Sequence, residues 1–286
     1  AGIDLHVISP EDEADLAALG CAPLIGRKYQ GALIFDIGGG STEIVWQRRS
    51  EGRLVKRFSA SLPVGVVNLA EQYGAAARTR DGFETMREAM RARFAPLAEQ
   101  MPDFDPQREH LLGTSGTVTT LAAIALKLPR YIRAKVDASW HETPQLLQVA
   151  DHISRMDVAA LARIGSIGPE RADLMLAGSA IFAAICGLWE SPTLRVADRG
   201  LREGMLRQMR DESQRLSQPC CFQASGHGRK IPFPQKRRAG PGSGRGAGGL
   251  EPGCRRQGCH RGRCRCAGDG RDSRRHVFSG RPHRCG

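Results

Sequence analysis

The sequence predicts an α/β fold, with strands and helices alternating along most of the chain. Three stretches carry that prediction. Ala32 to Trp46 is an apolar strand run, a small-residue turn and a second strand run. Phe83, Met86, Met90, Phe94, Leu97 and Met101 recur three and four residues apart, the spacing of a helix with one buried face. Thr193 to Ala197 returns to strand composition before Asp198-Arg199-Gly200 turns into a last helix.

In chain order, Ile3 to Ile8 reads as a short strand. Ser9 caps a helix that has Pro10 first and Glu11, Asp12 and Glu13 facing its dipole; this helix runs to Leu19 and stops at Gly20. In the hairpin, Ala32 to Phe35 has the residue types of a buried strand, Gly38 to Gly40 permit positive φ and leave the backbone bare, and Glu43 to Trp46 resumes a strand. Arg53 to Leu62 is the next strand, with Glu51-Gly52 as its turn. Asp81 opens the amphipathic helix, with Glu84 in capping-box register, and Pro96 kinks or ends it. His110 to Leu112 is a short strand, Gly113 to Thr117 a second small-residue turn, and Val118 to Leu128 a helix. Thr143-Pro144 and Pro169 start two further helices, the second apolar through Leu188. Within it, Gly178-Ser179-Ala180 lets another helix or a nucleotide ring come close. The last helix runs from Leu201 to about Glu212.

The 286 residues suffice for two domains, and the formal charge of +12 would suggest a nucleic-acid binder if it were spread evenly. It is not. Residues before Gln214 carry 25 Lys and Arg against 27 Asp and Glu, whereas those from Gln214 on carry 17 against 3. Only Cys21 and Cys186 of the nine cysteines precede Gln214, and isolated cysteines in apolar surroundings point to reduced core residues of a cytoplasmic protein. No apolar run reaches the roughly 18 residues of a membrane span. With no initiator Met and no basic leader, no signal peptide is expected.

From Gln214 the helical and strand periods vanish, and Arg-Gly-rich text with scattered cysteines takes over. Such a segment cannot bury a core, so 214–286 is expected to be a disordered basic tail. Cys254, Cys259, Cys264 and Cys266 lack the paired C-x₂-C spacing of a zinc site. An Arg-Gly nucleic-acid tail fits the composition, and an out-of-frame or fused reading of GC-rich DNA fits it better.

The hairpin tip is the chemical centre of the sequence. Asp36 precedes three glycines, and Ser41 and Thr42 follow them, so bare N–H groups and two hydroxyls share a concavity suited to phosphate. A Walker loop is excluded, because neither Gly-Lys-Ser/Thr nor a following helix is present. A turn alone would need no flanking carboxylate or hydroxyls.

Four stretches together resemble the exopolyphosphatase / guanosine pentaphosphate phosphohydrolase (Ppx/GppA) family. They are Asp36-Ile37-Gly38-Gly39-Gly40-Ser41-Thr42-Glu43, Leu112-Gly113-Thr114-Ser115-Gly116-Thr117, Ile167-Gly168-Pro169-Glu170-Arg171 with Gly178, and Asp198-Arg199-Gly200-Leu201-Arg202-Glu203-Gly204. The resemblance covers roughly residues 1–213. It implies an actin-like ATPase (ribonuclease H-like) fold with its site in an interdomain cleft. Asp12-Glu13-Ala14-Asp15 matches the family's Glu-Glu-Ala-Arg stretch, which gives Glu13 the water-activating role and puts Asp15 where the family has Arg. It further implies phosphate binding by Gly38, Gly39, Gly40, Ser41, Thr42, Gly113, Ser115 and Gly116, Mg²⁺ held near Asp36, and a catalytic role for Glu43 beside Glu13. The family's upstream phosphate hairpin has no counterpart here, so the chain is expected to be a fragment: 1–20 a remnant of the first domain, 21–213 the second domain, 214–286 the tail.

The expected function is removal of terminal phosphate from inorganic polyphosphate or a guanosine penta- or tetraphosphate, impaired in the fragment. The chemistry needs donors for developing charge, a metal bridging phosphate oxygens and a carboxylate to orient water, and no Cys or His is placed as a covalent nucleophile. A kinase or ATPase of the same superfamily is one alternative, and a nucleic-acid-binding protein acting through the tail is another. No membrane partner is expected. Assembly as a homodimer stays open.

Overall fold

The computed structural model describes residues 7–217, and the way its strands are filled determines where the site lies. In chain order the elements are helix α1 (Pro10–Cys21), strands β1 (Gly31–Ile37), β2 (Thr42–Ser50) and β3 (Arg53–Leu62), helices α2 (Val66–Tyr73) and α3 (Arg80–Glu99), and β4 (Glu109–Thr114). Then come α4 (Ser115–Ala125), α5 (Arg133–Val136), β5 (Trp140–Glu142), α6 (Thr143–Ile153), α7 (Val158–Ala162), α8 (Pro169–Ala172), α9 (Met175–Trp189), β6 (Thr193–Val196) and α10 (Leu201–Ser217).

The six strands form one sheet in the order β3-β2-β1-β4-β6-β5. β1, β4 and β6 run parallel, while β2 is antiparallel to both β1 and β3, and β5 is antiparallel to β6. Glu51 and Gly52 both have positive φ (50° and 77°), the conformation a two-residue hairpin loop needs to match strand twist.

β1 is apolar on both faces, as a central strand must be. Leu33, Phe35 and Ile37 join a large core with Met86, Met90 and Phe94 of α3 and Phe182 of α9. Ala32 and Ile34 join a smaller core with Ala14, Ala18 and Cys21 of α1. Side chains alternate along a strand, so Asp36 falls on the α1 face at the C-terminal end of β1. By the same period Glu43 shares that face with Val45.

Several boundaries depart from the sequence expectation. Gly20 does not stop α1, which continues to Cys21. It makes room for α10: a Cβ at Gly20 would lie 2.2 Å from the Gly200 carbonyl oxygen, and one at Gly204 would lie 1.9 Å from that of Leu16. Thr79, not Asp81, caps α3 by accepting from the Gly82 N–H, and Glu84 pairs with Arg80 and Arg87 instead of closing a capping box. Pro96 lies within the last turn of α3, which ends at Glu99. α4 begins at Ser115, three residues ahead of Val118. The helical run from Pro169 breaks into α8 and α9, and Gly178 of α9 admits Thr117 of α4. Val7 and Ile8 are not in a strand, and the rest of the expected Ile3 to Ile8 strand lies outside the described residues. α10 runs through Ser217, past the expected tail boundary, and everything assigned to the tail beyond it also lies outside them.

Candidate active site

The β1–β2 hairpin is held open by its own carbonyls. Gly38 and Gly39 accept from the N–H groups of Val66 and Val67 at the start of α2 (2.9 and 2.8 Å), and Gly40 accepts from the Asn68 side-chain amide (2.8 Å). With the carbonyls turned into α2, the N–H groups of Gly39 and Gly40 have no partner among the described residues. None of Gly38 to Gly40 adopts the positive φ that three glycines would permit. Gly65, packed onto the hairpin, is the position that must lack a side chain: a Cβ there would lie 2.5 Å from the Gly38 and Gly39 carbonyl oxygens, whereas one on Gly39 would meet only Val67 Cγ2 at 3.6 Å and one on Gly40 nothing within 4 Å. Thr42 donates its hydroxyl to the Val64 carbonyl (2.6 Å), so that side chain braces the hairpin from within.

The second small-residue turn meets the hairpin. Ile37, Gly38 and Gly39 line a cavity of about 320 Å³ together with Ser115, Gly116, Thr117 and Arg171. Ser115 opens α4 with φ 88°, an uncommon value for a residue with a side chain, and its buried Oγ has no hydrogen-bond partner among the described residues. Strain and an orphaned hydroxyl at one residue are what a ligand site stores. Gly116 is exposed, and a Cβ on it would stand 3.6 Å from a guanidinium nitrogen of Arg171. Arg171 makes no salt bridge among the described residues, so its charge is unspent at the mouth of the cavity. Gly113 is not on this rim. It is buried in β4, where a Cβ would lie 2.6 Å from the Phe35 ring.

The carboxylates gather on the α1 face. Asp36 and Glu43 are register partners across the hairpin. Burial, then Glu43, then Glu13, push Asp36 up to about 7. Burial also raises Glu43, against hydrogen bonds from Ser41 and Ser61. Glu13 itself is exposed in the first turn of α1. Asp15, on the same helix, is held by Lys56 of β3 at 2.6 Å. Over Asp36 lies the turn Asp198-Arg199-Gly200, where a Cβ on Gly200 would be 3.7 Å from Asp36 Oδ2. That turn is fixed at several points. The Arg199 carbonyl accepts from Thr114 Oγ1 (2.8 Å) and Cys21 Sγ (3.2 Å), the Arg199 guanidinium pairs with Asp137, and Asp198 accepts from Tyr131 (2.6 Å). Together these form a donor cradle, a carboxylate pair and a rigid cover at the C-terminal ends of β1 and β4.

Residues 1–213 match the Ppx/GppA phosphatase family. The chain belongs to that family. It is similar to exopolyphosphatase 2 of Mycobacterium tuberculosis, with 30% identity over 63% of this chain and 54% of that protein. It is also similar to the guanosine-5'-triphosphate,3'-diphosphate pyrophosphatase of Vibrio parahaemolyticus, with 30% identity over 74% of this chain and 40% of that one. The chain thus spans about half the length of the curated relatives it matches. Among solved structures, the Ppx/GppA family member of Aquifex aeolicus superposes with a TM-score of 0.62 and 28% identity, covering 74% of this chain and 66% of that one. An exopolyphosphatase from Cytophaga hutchinsonii shares the fold (TM-score 0.64, 22% identity) over 73% of this chain and 66% of that one. The sheet is therefore that of the Ppx/GppA actin-like ATPase fold. Among the described residues no helix is long and apolar enough to cross a membrane, and Cys21 and Cys186 are free and buried.

Arg171 and the Asp137–Arg199 pair carry no role in the sequence reading. Arg171 was within reach, as the last residue of the Gly168-Pro169-Glu170-Arg171 motif. Asp137 belongs to no motif, and only the fold brings it to Arg199.

Proposed function

We propose that the chain acts as a phosphohydrolase, removing terminal phosphate from inorganic polyphosphate or guanosine pentaphosphate. The observation that supports this reading is the meeting of Gly39, whose N–H has no partner among the described residues, with the strained Ser115 and the unpaired Arg171 in one cavity. Cleaving a phosphoanhydride needs fixed donors where charge develops and a group that orients water, and little covalent chemistry from the protein. The N–H groups of Gly39, Gly40 and Gly116, the Ser115 hydroxyl and the Arg171 guanidinium hold the terminal phosphate. Glu13 accepts a proton from the attacking water, and its exposure leaves it free to swing. Glu43, braced by Ser41 and Ser61, places a second carboxyl group beside Asp36.

The donor set fits Mg²⁺. Among the described residues no group of three or more His, Cys, Asp or Glu side chains could hold a metal alone. Mg²⁺ is commonly bound by one or two carboxylates, with water and phosphate oxygens completing its shell. Asp36 would be the protein ligand, and mutual repulsion among Asp36, Glu43 and Glu13 favours a cation there. When bound, Mg²⁺ would neutralise negative charge on the phosphate.

The test is phosphate release in Mg²⁺ from polyphosphate, guanosine pentaphosphate and ATP. Release from either of the first two above that from ATP, lost in Arg171→Gln, supports the reading. Preferred use of ATP with phosphate passed to a second acceptor would make the chain a kinase instead.

A further inference from the structure

A second built pocket lies at the opposite end of the sheet. The candidate active site sits where β1, β4 and β6 end, whereas Tyr29, His110 and Thr193 sit where those strands begin. The length of β1 separates the two by about 20 Å. This pocket, of about 460 Å³, is lined by the turn Gly26 to Tyr29 and by the edge strand β5 with Arg195 of β6.

The turn is fixed from three sides. The Gly26 N–H donates to His110 Nε2 (3.1 Å), the Tyr29 N–H returns to the Gly26 carbonyl (3.1 Å), and the Tyr29 hydroxyl bonds to Thr193 Oγ1 (2.7 Å). Gly26 has to be glycine, since a Cβ would lie 2.8 Å from the Tyr29 ring and 3.0 Å from that of Trp140. Arg27 and Lys28 thus project from a rigid tip. Neither makes a salt bridge among the described residues, and both are exposed. Beside them Trp140 stacks on Tyr29 (centroids 5.5 Å apart) yet stays 41% exposed, while Trp46 and Trp189 are buried. Arg195 lies over the same indole at 5.1 Å and is anchored by the Leu24 and Ala138 carbonyls. Glu142 is the one acid among the lining residues.

We infer that this pocket binds a nucleotide, with its phosphates on Arg27 and Lys28 and its base against the exposed indole of Trp140. A fixed turn keeps two cations side by side without ordering its backbone on binding, and base–aromatic stacking tolerates any base. The pocket is independent of the phosphate cradle, so the inference does not depend on the proposed hydrolysis.

Trp140 is also the reporter. The protein has three tryptophans, two of them buried and none beyond residue 189, so the basic C-terminal segment adds no indole signal. Fluorescence of the full chain is titrated with ADP, and with pyrophosphate as the base-free control. The inference predicts saturable quenching by ADP that pyrophosphate does not reproduce. Arg27→Glu with Lys28→Glu, both on an exposed turn, should weaken the apparent affinity at least tenfold, and Gly39→Val should leave it unchanged. Absence of saturable quenching, equal quenching by pyrophosphate, or indifference to the charge reversal would overturn it. Loss of quenching in Gly39→Val would overturn it as well, by tracing the signal to the phosphate cradle.

Discussion

Asp36 and Glu43 stand directly opposite each other where β1 pairs with β2, on the sheet face that α1 covers. Like charges in that position destabilise a hairpin, so the pair is costly in the fold by itself. The cost makes sense where a cation and a polyphosphate are to be held, and it has a measurable signature.

Asp36 is raised from 3.8 to about 7, by burial first and then by Glu43 and Glu13. Between those values the folded state keeps a proton that the unfolded state has released, so stability falls as pH rises through about 7. Asp36→Asn removes that loss. Without divalent cations, the melting temperature of the variant should gain on the parent from pH 5 to pH 8. An offset that does not change with pH would contradict the burial and repulsion described.

Glu13→Gln keeps the shape of the side chain and removes the base. Phosphate release should fall about 100-fold, the usual scale for loss of a general base, with pyrophosphate affinity little changed. Equal losses in both quantities would move Glu13 from catalysis to binding.

Arg171→Gln should weaken pyrophosphate binding at least about tenfold, as expected for a charge-assisted contact worth roughly 1.5–3 kcal/mol. Its salt dependence should weaken too, since one exposed cation is gone. Calorimetric titrations at two salt concentrations measure both effects.

Gly204→Ala tests the seam between α1 and α10. The added Cβ would lie 1.9 Å from the Leu16 carbonyl oxygen, so backbone has to move. A loss of about 1–3 kcal/mol in urea unfolding is expected, the range for overpacking.

Much of this was legible in the sequence because it rests on local signals. The β1–β2 hairpin, the strand from Arg53 to Leu62 and the buried face of α3 follow from period and turn chemistry. What the sequence misplaced depends on distant partners. Gly20 looks like a helix stop until α10 is seen against it, and the need for glycine at Gly65 shows only when the hairpin carbonyls are seen against it. β5 has three residues and no alternation long enough to read, and Trp140 within it gains meaning only beside Tyr29 and Arg195. Asp36, Ser115 and Gly116 were legible as candidates from residue type and motif, but the orphaned Ser115 hydroxyl and the unspent Arg171 charge are properties of the fold.

Phosphate binding by the bare N–H groups of the hairpin tip is put to the test by Gly39→Val. A Cβ at Gly39 meets only Val67 Cγ2 at 3.6 Å, an ordinary contact, and its φ is not positive. The free protein should therefore accept the change, while the bulk intrudes where an anion would sit. Calorimetric titration with pyrophosphate, alongside circular dichroism of both proteins, separates the two effects. An unchanged spectrum and at least a tenfold loss of affinity are expected. Unchanged affinity with an unchanged spectrum would contradict phosphate binding at the hairpin tip.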